Sequence, residues 1–180
     1  MLALHKLTSM ADVTVGHNIK KFDDRRANTD FIKHGLIPPP KHKMIDTLEF
    51  ARHKFDFESN KLDDLAQFLK IGKKVKHWGF ELWERCMNGD PVAWALMKKY
   101  NKADVDPLLE GVYLKMRPWM TNHPNVCALD ARPGCPVCRS RRVRRNGYNI
   151  NQWGRSLRFR CQDCGKSMVG TYTKGGWRFK

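Results

Sequence analysis

The spacing of apolar and polar residues in the first third of the chain predicts alternating helices and strands. A leucine-containing, helix-like segment at residues 2–10 precedes a short β-branched run at residues 12–16, which indicates a buried strand. Polar and apolar residues then follow a helical period over residues 23–34. A second strand is predicted at residues 43–48, and it leads directly into a helix at residues 49–54.

The middle of the chain has a mainly helical pattern. Polar residues at 59–60 can cap a helix that runs to Leu69, and Asp90 with its following proline predicts the start of a helix running toward Tyr100. Apolar residues recur at helical spacing over residues 105–116, which predicts one amphipathic helix. The order of strand, helix, strand and several helices suggests an α/β domain with a helical second half.

Charge divides the chain into two parts. The 180 residues include 34 Lys and Arg against 18 Asp and Glu, a net charge of +16, and residues 132–180 hold 13 of the basic residues and one acid, Asp163. A block this basic favours a polyanionic partner, because each neutralised phosphate releases condensed counterions. A solvated face that keeps the chain soluble is the alternative. We predict a first domain at residues 1–126, a linker at 127–134 and a basic module at 135–180.

Two pairs of cysteines in the basic module have the spacing of metal ligands. Cys135 and Cys138 form one C-x-x-C turn, and Cys161 and Cys164 form a second, 22 residues further on. Zn²⁺ takes four soft ligands in a tetrahedron, and two such turns complete that shell. Four thiolates leave no position for water, so we expect structural zinc. A redox dithiol is the alternative, although nothing here resembles a thioredoxin βαβ unit.

The segment between the cysteine pairs predicts a small β-sheet. Basic residues alternate with apolar and aromatic ones, which suits strands with two different faces, and Asn146-Gly147 predicts a hairpin turn. With a further strand around residues 168–173, this predicts a zinc β-ribbon. The aromatic residues could stack on unpaired bases or form the ribbon's core. The arginines predicted to bind nucleic acid are Arg139, Arg141, Arg142, Arg144, Arg145, Arg158 and Arg160.

Two groups of polar residues in the first domain could carry chemistry. Asp23 opens a predicted helix just past a strand end, where a carboxylate is well placed to hold a divalent metal. Tyr100 and Asp104 lie four residues apart and share one helical face, so they could hold a metal and orient a water. Each also has a plainer interpretation, since Asp23 could be a helix N-terminal acid and Tyr100 a boundary aromatic.

Taken in order, the motifs of the chain resemble those of DEDDy-type 3′-5′ exonucleases of the ribonuclease H-like superfamily. The likeness is strongest to stand-alone exonucleases of phages and prokaryotes, which are similar to the proofreading domains of DNA polymerases, and some of which carry a C-terminal zinc ribbon. The motifs are His17-Asn18, Phe22-Asp23, Ile45-Asp46-Thr47-Leu48, Ser59-Asn60-Lys61-Leu62, Lys76-His77-Trp78-Gly79-Phe80, Tyr100-Asn101-Lys102-Ala103-Asp104-Val105 and Arg117-Pro118-Trp119-Met120.

The resemblance implies a partial ribonuclease H-like domain that hydrolyses DNA with two Mg²⁺ or Mn²⁺ ions. It makes Asp23 and Asp104 magnesium ligands and Tyr100 the residue that orients the attacking water. Asn18 would support the second motif and contact nucleic acid. The implied substrate is DNA, as single strands or 3′ ends, with the zinc ribbon gripping it.

The sequence departs from this family at the first motif, an Asp-x-Glu on the first strand. No acid precedes Asp12, so we expect an N-terminally incomplete domain, from a truncated gene, an internal start or half of a split protein. Two carboxylates bind Mg²⁺ weakly, because Mg²⁺ gives up its waters reluctantly. We therefore expect little or no nuclease activity from the chain alone. The alternative hypothesis is a catalytically incomplete nucleic-acid-binding protein, or half of a split exonuclease that takes Asp-x-Glu from a second chain.

The remaining patterns bear on location. The chain has no run of 18 apolar residues and no signal-peptide pattern at its start, which excludes a membrane span and leads us to expect a cytoplasmic protein of a prokaryotic or phage-infected cell. In a reducing compartment, its six cysteines would be thiols or metal ligands. A ribbon protein similar to transposases or transcription factors would explain the C-terminus but not the ordered motifs before it.

Overall fold

The computed structural model describes residues 1–129, 133–173 and 176–179. The chain divides into two compact units, Met1–Met116 and Arg117–Lys180. Residues of the predicted linker belong to the second unit, in which the Val126 amide donates to the Pro136 carbonyl at 2.9 Å. Part of that linker, residues 130–132, lies outside the described residues, and the domain boundaries drawn from charge stay predictions.

The first unit begins with parallel strands joined through a helix. Strands β1 (Val13–Gly16) and β2 (Lys43–Asp46) pair in parallel, with Val13 opposite Lys43 and Gly16 opposite Asp46. Helix α1 (Leu2–Met10) precedes β1, and α2 (Asp23–Lys33) lies between the two strands in the chain. This mixture of helix and strand is consistent with the predicted α/β class.

The second predicted strand is too long by two residues. It ends at Asp46, and helix α3 (Thr47–Lys54) begins at once. The Asp46 carboxylate accepts hydrogen bonds from the amides of Leu48 and Glu49, at 3.0 and 3.3 Å, and thereby caps the helix. The sequence places Thr47 and Leu48 in the predicted strand. The helix starts at Thr47 because the Asp46 carboxylate accepts hydrogen bonds from two amides of the first turn, which have no acceptor within the helix.

Helices form the rest of the first unit, as expected. They are α4 (Leu62–Phe68), α5 (Phe80–Met87), α6 (Pro91–Ala103) and α7 (Glu110–Met116). The predicted cap of α6 is confirmed, because Asp90 accepts from the amides of Val92 and Ala93 at 2.8 and 3.2 Å. No helix in the described part of the chain is both long enough and apolar enough to cross a membrane.

The single helix predicted over residues 105–116 is wrong. The backbone of Asp106, with φ −126° and ψ 112°, interrupts the helical path before Pro107. A proline disfavours helical backbone in the residue before it, which explains the break. The apolar spacing persists across the break because both parts face the same core, through buried Leu108, Val112 and Met116.

The second unit contains a four-stranded antiparallel sheet. Its strands are β3 (Val143–Asn151), β4 (Gly154–Cys161), β5 (Ser167–Thr173) and β6 (Gly176–Phe179), and they lie side by side in that order. Phe159 and Met168 form a small core with Val137 and the adjacent cysteines. Of the two roles considered for the aromatics, the core role therefore holds for Phe159.

The hairpin turn predicted at Asn146-Gly147 is wrong. Strand β3 runs through these residues, and the register shifts between Arg145 and Tyr148, which marks a β-bulge. Gly147 has a φ of +78°, a conformation that glycine adopts readily and that occurs in bulges as well as in turns. The reversal of the chain falls further on, between Asn151 and Gly154, which are opposite each other.

Candidate functional site

Asp46 fixes the loop that follows β1. Its side chain is buried, at 7% exposure, and accepts hydrogen bonds from the amides of Asn18 and Lys20 at 2.9 and 3.3 Å. The same carboxylate caps α3, so one buried group ties the end of β1 to the helix after β2. Asn18 takes a left-handed backbone, with φ +67°, which asparagine tolerates better than most residues. The loop leads into α2, which Asp23 opens as predicted.

A lysine joins the two residues predicted from the third motif. Lys74 Nζ donates to Tyr100 Oη at 3.2 Å and to Asp104 Oδ2 at 2.9 Å. Burial alone would lower the pKa of Lys74, but the hydrogen bonds to Asp104 and Tyr100 outweigh it and raise that pKa. The lysine is therefore charged and clamps both side chains. Sequence reasoning missed it, because Lys74 lies in a lysine-rich stretch that gives no sign of which side chain turns inward.

The second carboxylate oxygen of Asp104 has no partner in the described residues. Oδ1 of Asp104 is buried and makes no hydrogen bond. Asn60 Oδ1 is also buried without a hydrogen bond, and Asn60 and Asp104 line one cavity. A buried acceptor left without a donor costs roughly 1–3 kcal/mol. Carboxylate and amide oxygens are the hard ligands that Mg²⁺ prefers, whereas Lys74, Lys61 and Arg52 in the walls of the same cavity oppose a cation there.

Asn18 and Asp104 line one cavity, and Asp23 lines another. The first, of about 640 Å³, also includes His17, Asn60 and Lys74 in its walls. The second, of about 370 Å³, is bounded by residues of α1, β1, α2 and β2. Apart from four cysteines, the described residues contain no group of three or more metal-ligating side chains in reach of one ion. The roles of Asp23, Tyr100 and Asp104 therefore stay predictions.

His17 supports the wall of the first cavity. Its Nδ1 lies 3.0 Å from Thr47 Oγ1 and its Nε2 lies 3.0 Å from the Asn60 carbonyl. Burial lowers the pKa of His17 below its ordinary value of 6.5, although the Asn60 carbonyl and the charge of Asp46 act in the opposite direction. The charges of Lys74 and Arg52 add to the lowering.

Acid should destabilise the protein through His17. A folded-state pKa below the unfolded one means that the unfolded chain binds more protons between the two values. Stability should therefore fall as pH drops through 6.5 and level off below the folded-state pKa. Urea unfolding from pH 7.5 to pH 5 should show this slope, and His17→Gln should flatten it. An unchanged slope in that variant would assign the effect elsewhere, for example to His123, whose pKa burial also lowers.

The four predicted metal ligands converge in the second unit. The sulfur atoms of Cys135, Cys138, Cys161 and Cys164 all lie within 4.8 Å of one another. Both C-x-x-C segments are tight turns, closed by hydrogen bonds from the Arg139 amide to the Cys135 carbonyl at 2.9 Å and from the Gly165 amide to the Cys161 carbonyl at 3.1 Å. Four thiol groups in a shell of this size fit a tetrahedral thiophilic metal.

The thiols differ in acidity. Burial raises the pKa of Cys135, Cys138 and Cys164 to about 11. Burial acts on Cys161 in the same direction, but hydrogen bonds from the amides of Cys164 and Asp163 lower its pKa to about 7. Since a metal binds thiolates, metal binding at this cluster must release protons.

The strand register sorts the predicted arginines by face. Arg144 lies directly opposite Arg160, and Arg158 shares the face of Arg160 because it is two residues away on the same strand. We call Arg144, Arg158 and Arg160 the outer face, since the other face of β4 carries the core residue Phe159. Arg142 instead pairs with Asp163, at 2.8 Å.

The outer face is electrostatically unfavourable by itself. Like charges directly opposite each other in an antiparallel sheet are destabilising. Arg144 and Arg160 form such a pair, and Arg158 is held beside them by a 2.7 Å bond from its Nε to the Asn146 carbonyl. An anion that bridges the pair would remove the repulsion, which is a property expected of a phosphate contact.

Comparison with known protein families supports a nuclease-like function for this chain. Residues 2–81 match a protein-family model described as Exonuclease, which supports an exonuclease family and a nuclease-like function, and hence a nucleic-acid substrate. The matched segment includes Asn18, Asp23 and Lys74 and ends before Tyr100 and Asp104. No curated protein and no solved structure matches the chain.

Proposed function

We propose that the chain is a 3′-5′ exonuclease-like protein of the DEDDy type, with a ribonuclease H-like first domain, that acts on DNA. The observation that carries this proposal is the clamp at Lys74, which holds Tyr100 and Asp104 together beside the cavity lined by Asn18. The exonuclease match to the segment before them supports it independently.

In this proposal Asp104 and Asp23, which line separate cavities, would hold Mg²⁺ or Mn²⁺, and the ions would supply an activated water and stabilise the leaving 3′ oxygen. The unpartnered Oδ1 of Asp104 is the atom free to bind the ion. Because Tyr100 Oη accepts its hydrogen bond from Lys74, the hydroxyl proton of Tyr100 remains available to orient a water. Lys74 fixes both side chains through the hydrogen bonds that it donates to them.

The second unit has a separate proposed role. Zn²⁺ held by the four cysteines would be structural, and the ribbon would grip nucleic acid through its arginines. Two lines of support are the close approach of the four sulfur atoms and the clustering of Arg144, Arg158 and Arg160 on one face.

A second candidate function is a nucleic-acid-binding protein that is catalytically incomplete by itself, or that takes an Asp-x-Glu pair from another chain. The observation that favours it is that neither Asp104 nor Asp23 belongs to a group of three or more metal-ligating side chains within the residues that the structure describes. It would bind DNA as the exonuclease does, so binding alone does not separate the two.

Digestion of 5′-labelled single-stranded DNA with Mg²⁺ or Mn²⁺ tests the proposal, because 3′-5′ removal gives a ladder of shortened products. We expect little or no digestion by the chain alone, because two carboxylates bind these ions weakly, and we expect Asp104→Asn to remove any that occurs. Asp106→Asn is the matched control, since it changes a neighbouring acid outside the Lys74 clamp. Binding without any digestion, restored by a second chain that carries Asp-x-Glu, would favour the second candidate. Digestion that survives Asp104→Asn would contradict the proposed site.

A further inference from the structure

Exposed aromatic residues lie beside the Lys74 clamp. Trp83 on α5 keeps 40% of its surface exposed, and its ring packs edge-on against His77 at 5.1 Å and Tyr100 at 6.4 Å between centroids. His77 also packs against Tyr100, at 4.7 Å. Three rings therefore form one connected group that runs from the candidate catalytic tyrosine out to an exposed tryptophan.

The ring of Trp83 is fixed in place by these contacts. An exposed tryptophan usually loses side-chain freedom when it binds a partner, which weakens binding. Trp83 has already lost much of that freedom, because His77 and Tyr100 hold it from two directions. A rigid, half-exposed aromatic ring is the surface on which an unpaired base can stack.

The charge around Trp83 favours a nucleic acid over an apolar protein segment. Lys73 and Lys76 are exposed in the segment that leads to His77, and Lys74 lies within it. Nearby, the Arg85 guanidinium, which also pairs with Asp90 and Glu81, lies 4.4 Å from the centroid of the Trp78 ring, and Trp78 is 42% exposed. Exposed lysines next to aromatic rings fit the phosphates and bases of a single strand, in which both groups are accessible.

We propose that Trp83 is a stacking platform for an unpaired base of single-stranded DNA, next to Tyr100. The position given to the stacked base rests on the proposed function, because that function makes the neighbouring Tyr100 part of the candidate site. The binding chemistry does not rest on it, since stacking requires neither a metal ion nor hydrolysis.

The test compares two labelled oligonucleotides by fluorescence anisotropy in a buffer without Mg²⁺, Mn²⁺ or a chelator, so that zinc bound by the four cysteines is retained. One is an oligothymidylate, and the other has the same length and phosphates but abasic sugars throughout. We expect Trp83→Ala to weaken binding of the oligothymidylate about tenfold and to leave binding of the abasic strand unchanged, because one stacked base is lost. Trp83→Phe should keep most of the affinity, and Trp94→Ala, at a second exposed tryptophan outside the ring group, should change neither value.

Three outcomes would overturn the stacking role. They are equal affinity losses for both strands, unchanged affinity for the oligothymidylate, and a concentration-dependent dimer in sedimentation that Trp83→Ala abolishes, which would make this face an interface between two copies. Circular dichroism shows whether each variant is folded. If Trp83→Ala is unfolded, Trp83→Leu, which keeps a large apolar side chain but has no aromatic ring, should show the loss of oligothymidylate binding instead. Because hydrolysis needs Mg²⁺ or Mn²⁺ and neither is present, failure here leaves the exonuclease proposal standing, and a loss of stacking with digestion intact separates the two ideas.

Discussion

Replacing Cys135 with serine is expected to abolish zinc binding and to unfold the second unit while the first unit stays folded. The four sulfur atoms lie within 4.8 Å of one another, and the remaining core of the sheet is small. Binding of structural zinc contributes about 10–16 kcal/mol to folding in small zinc modules, which is as large as the roughly 5–15 kcal/mol stability of most whole domains. Zinc content per chain and circular dichroism measure the loss, and DNA affinity should fall with it.

The chain contains its own control for this experiment. Cys127 is a buried cysteine of the same unit that lies outside the four-cysteine group, and its sulfur donates to the Cys135 carbonyl at 3.2 Å. Cys127→Ser keeps a donor at that position, so it should retain one zinc per chain and normal DNA affinity. If Cys135→Ser retained its zinc, the proposed metal site would be wrong. If it lost zinc but kept its DNA affinity, the ribbon would be a structural appendage.

The sequence predicted best those features that depend on neighbours along the chain. The cap at Asp90 needs a carboxylate two and three residues before the amides that it binds, and that spacing is visible in the sequence. Each C-x-x-C turn likewise brings two sulfurs together locally. The meeting of the two turns required a sheet between them, which the alternation of residues in β3 and β4 also indicated.

Features that depend on contacts through space could not be predicted in the same way. Lys74 lies 26 and 30 residues from Tyr100 and Asp104, and nothing local distinguishes it from the adjacent lysines. The order of the motifs likewise gives no distance between Asp23 and Asp104, because that distance depends on how the segments that carry them pack. The exonuclease prediction came from the motifs as a set, and the family match supports it in this general form.

The wrong prediction of a turn at Asn146-Gly147 has a different cause. Asparagine followed by glycine favours a positive φ, and both a tight turn and a bulge need one. Whether a turn or a bulge forms depends on how far the two strands pair. Strand β4 pairs with β3 as far as Asn151, so a bulge forms at Asn146-Gly147. This longer pairing fixes the register of the arginines, and so it decides which of them share a face.

Removing Arg144 and Arg160 together should weaken DNA binding about thirtyfold at 0.15 M salt. Each neutralised phosphate contributes a slope of about −0.9 to the dependence of log K on log salt, so two lost contacts reduce the slope by about 1.8 and each raises Kd about fivefold at this salt. Binding of one duplex and one single strand, measured by anisotropy over a range of salt concentrations, gives both quantities. The folded variant should also be more stable, since two opposed like charges are gone.

The matched control removes two arginines from the other face. Arg145 lies opposite Phe159, and Arg145 and Arg155 lie over the ring of Tyr148, at 5.0 and 4.6 Å. Arg145→Ala with Arg155→Ala lowers the net charge by the same two units, so a general effect of charge would weaken binding equally in both variants. A larger loss of salt slope in the outer-face variant would mean that phosphates contact that face. Equal losses would mean that the ribbon attracts DNA only through its total charge, because position on the sheet would then make no difference.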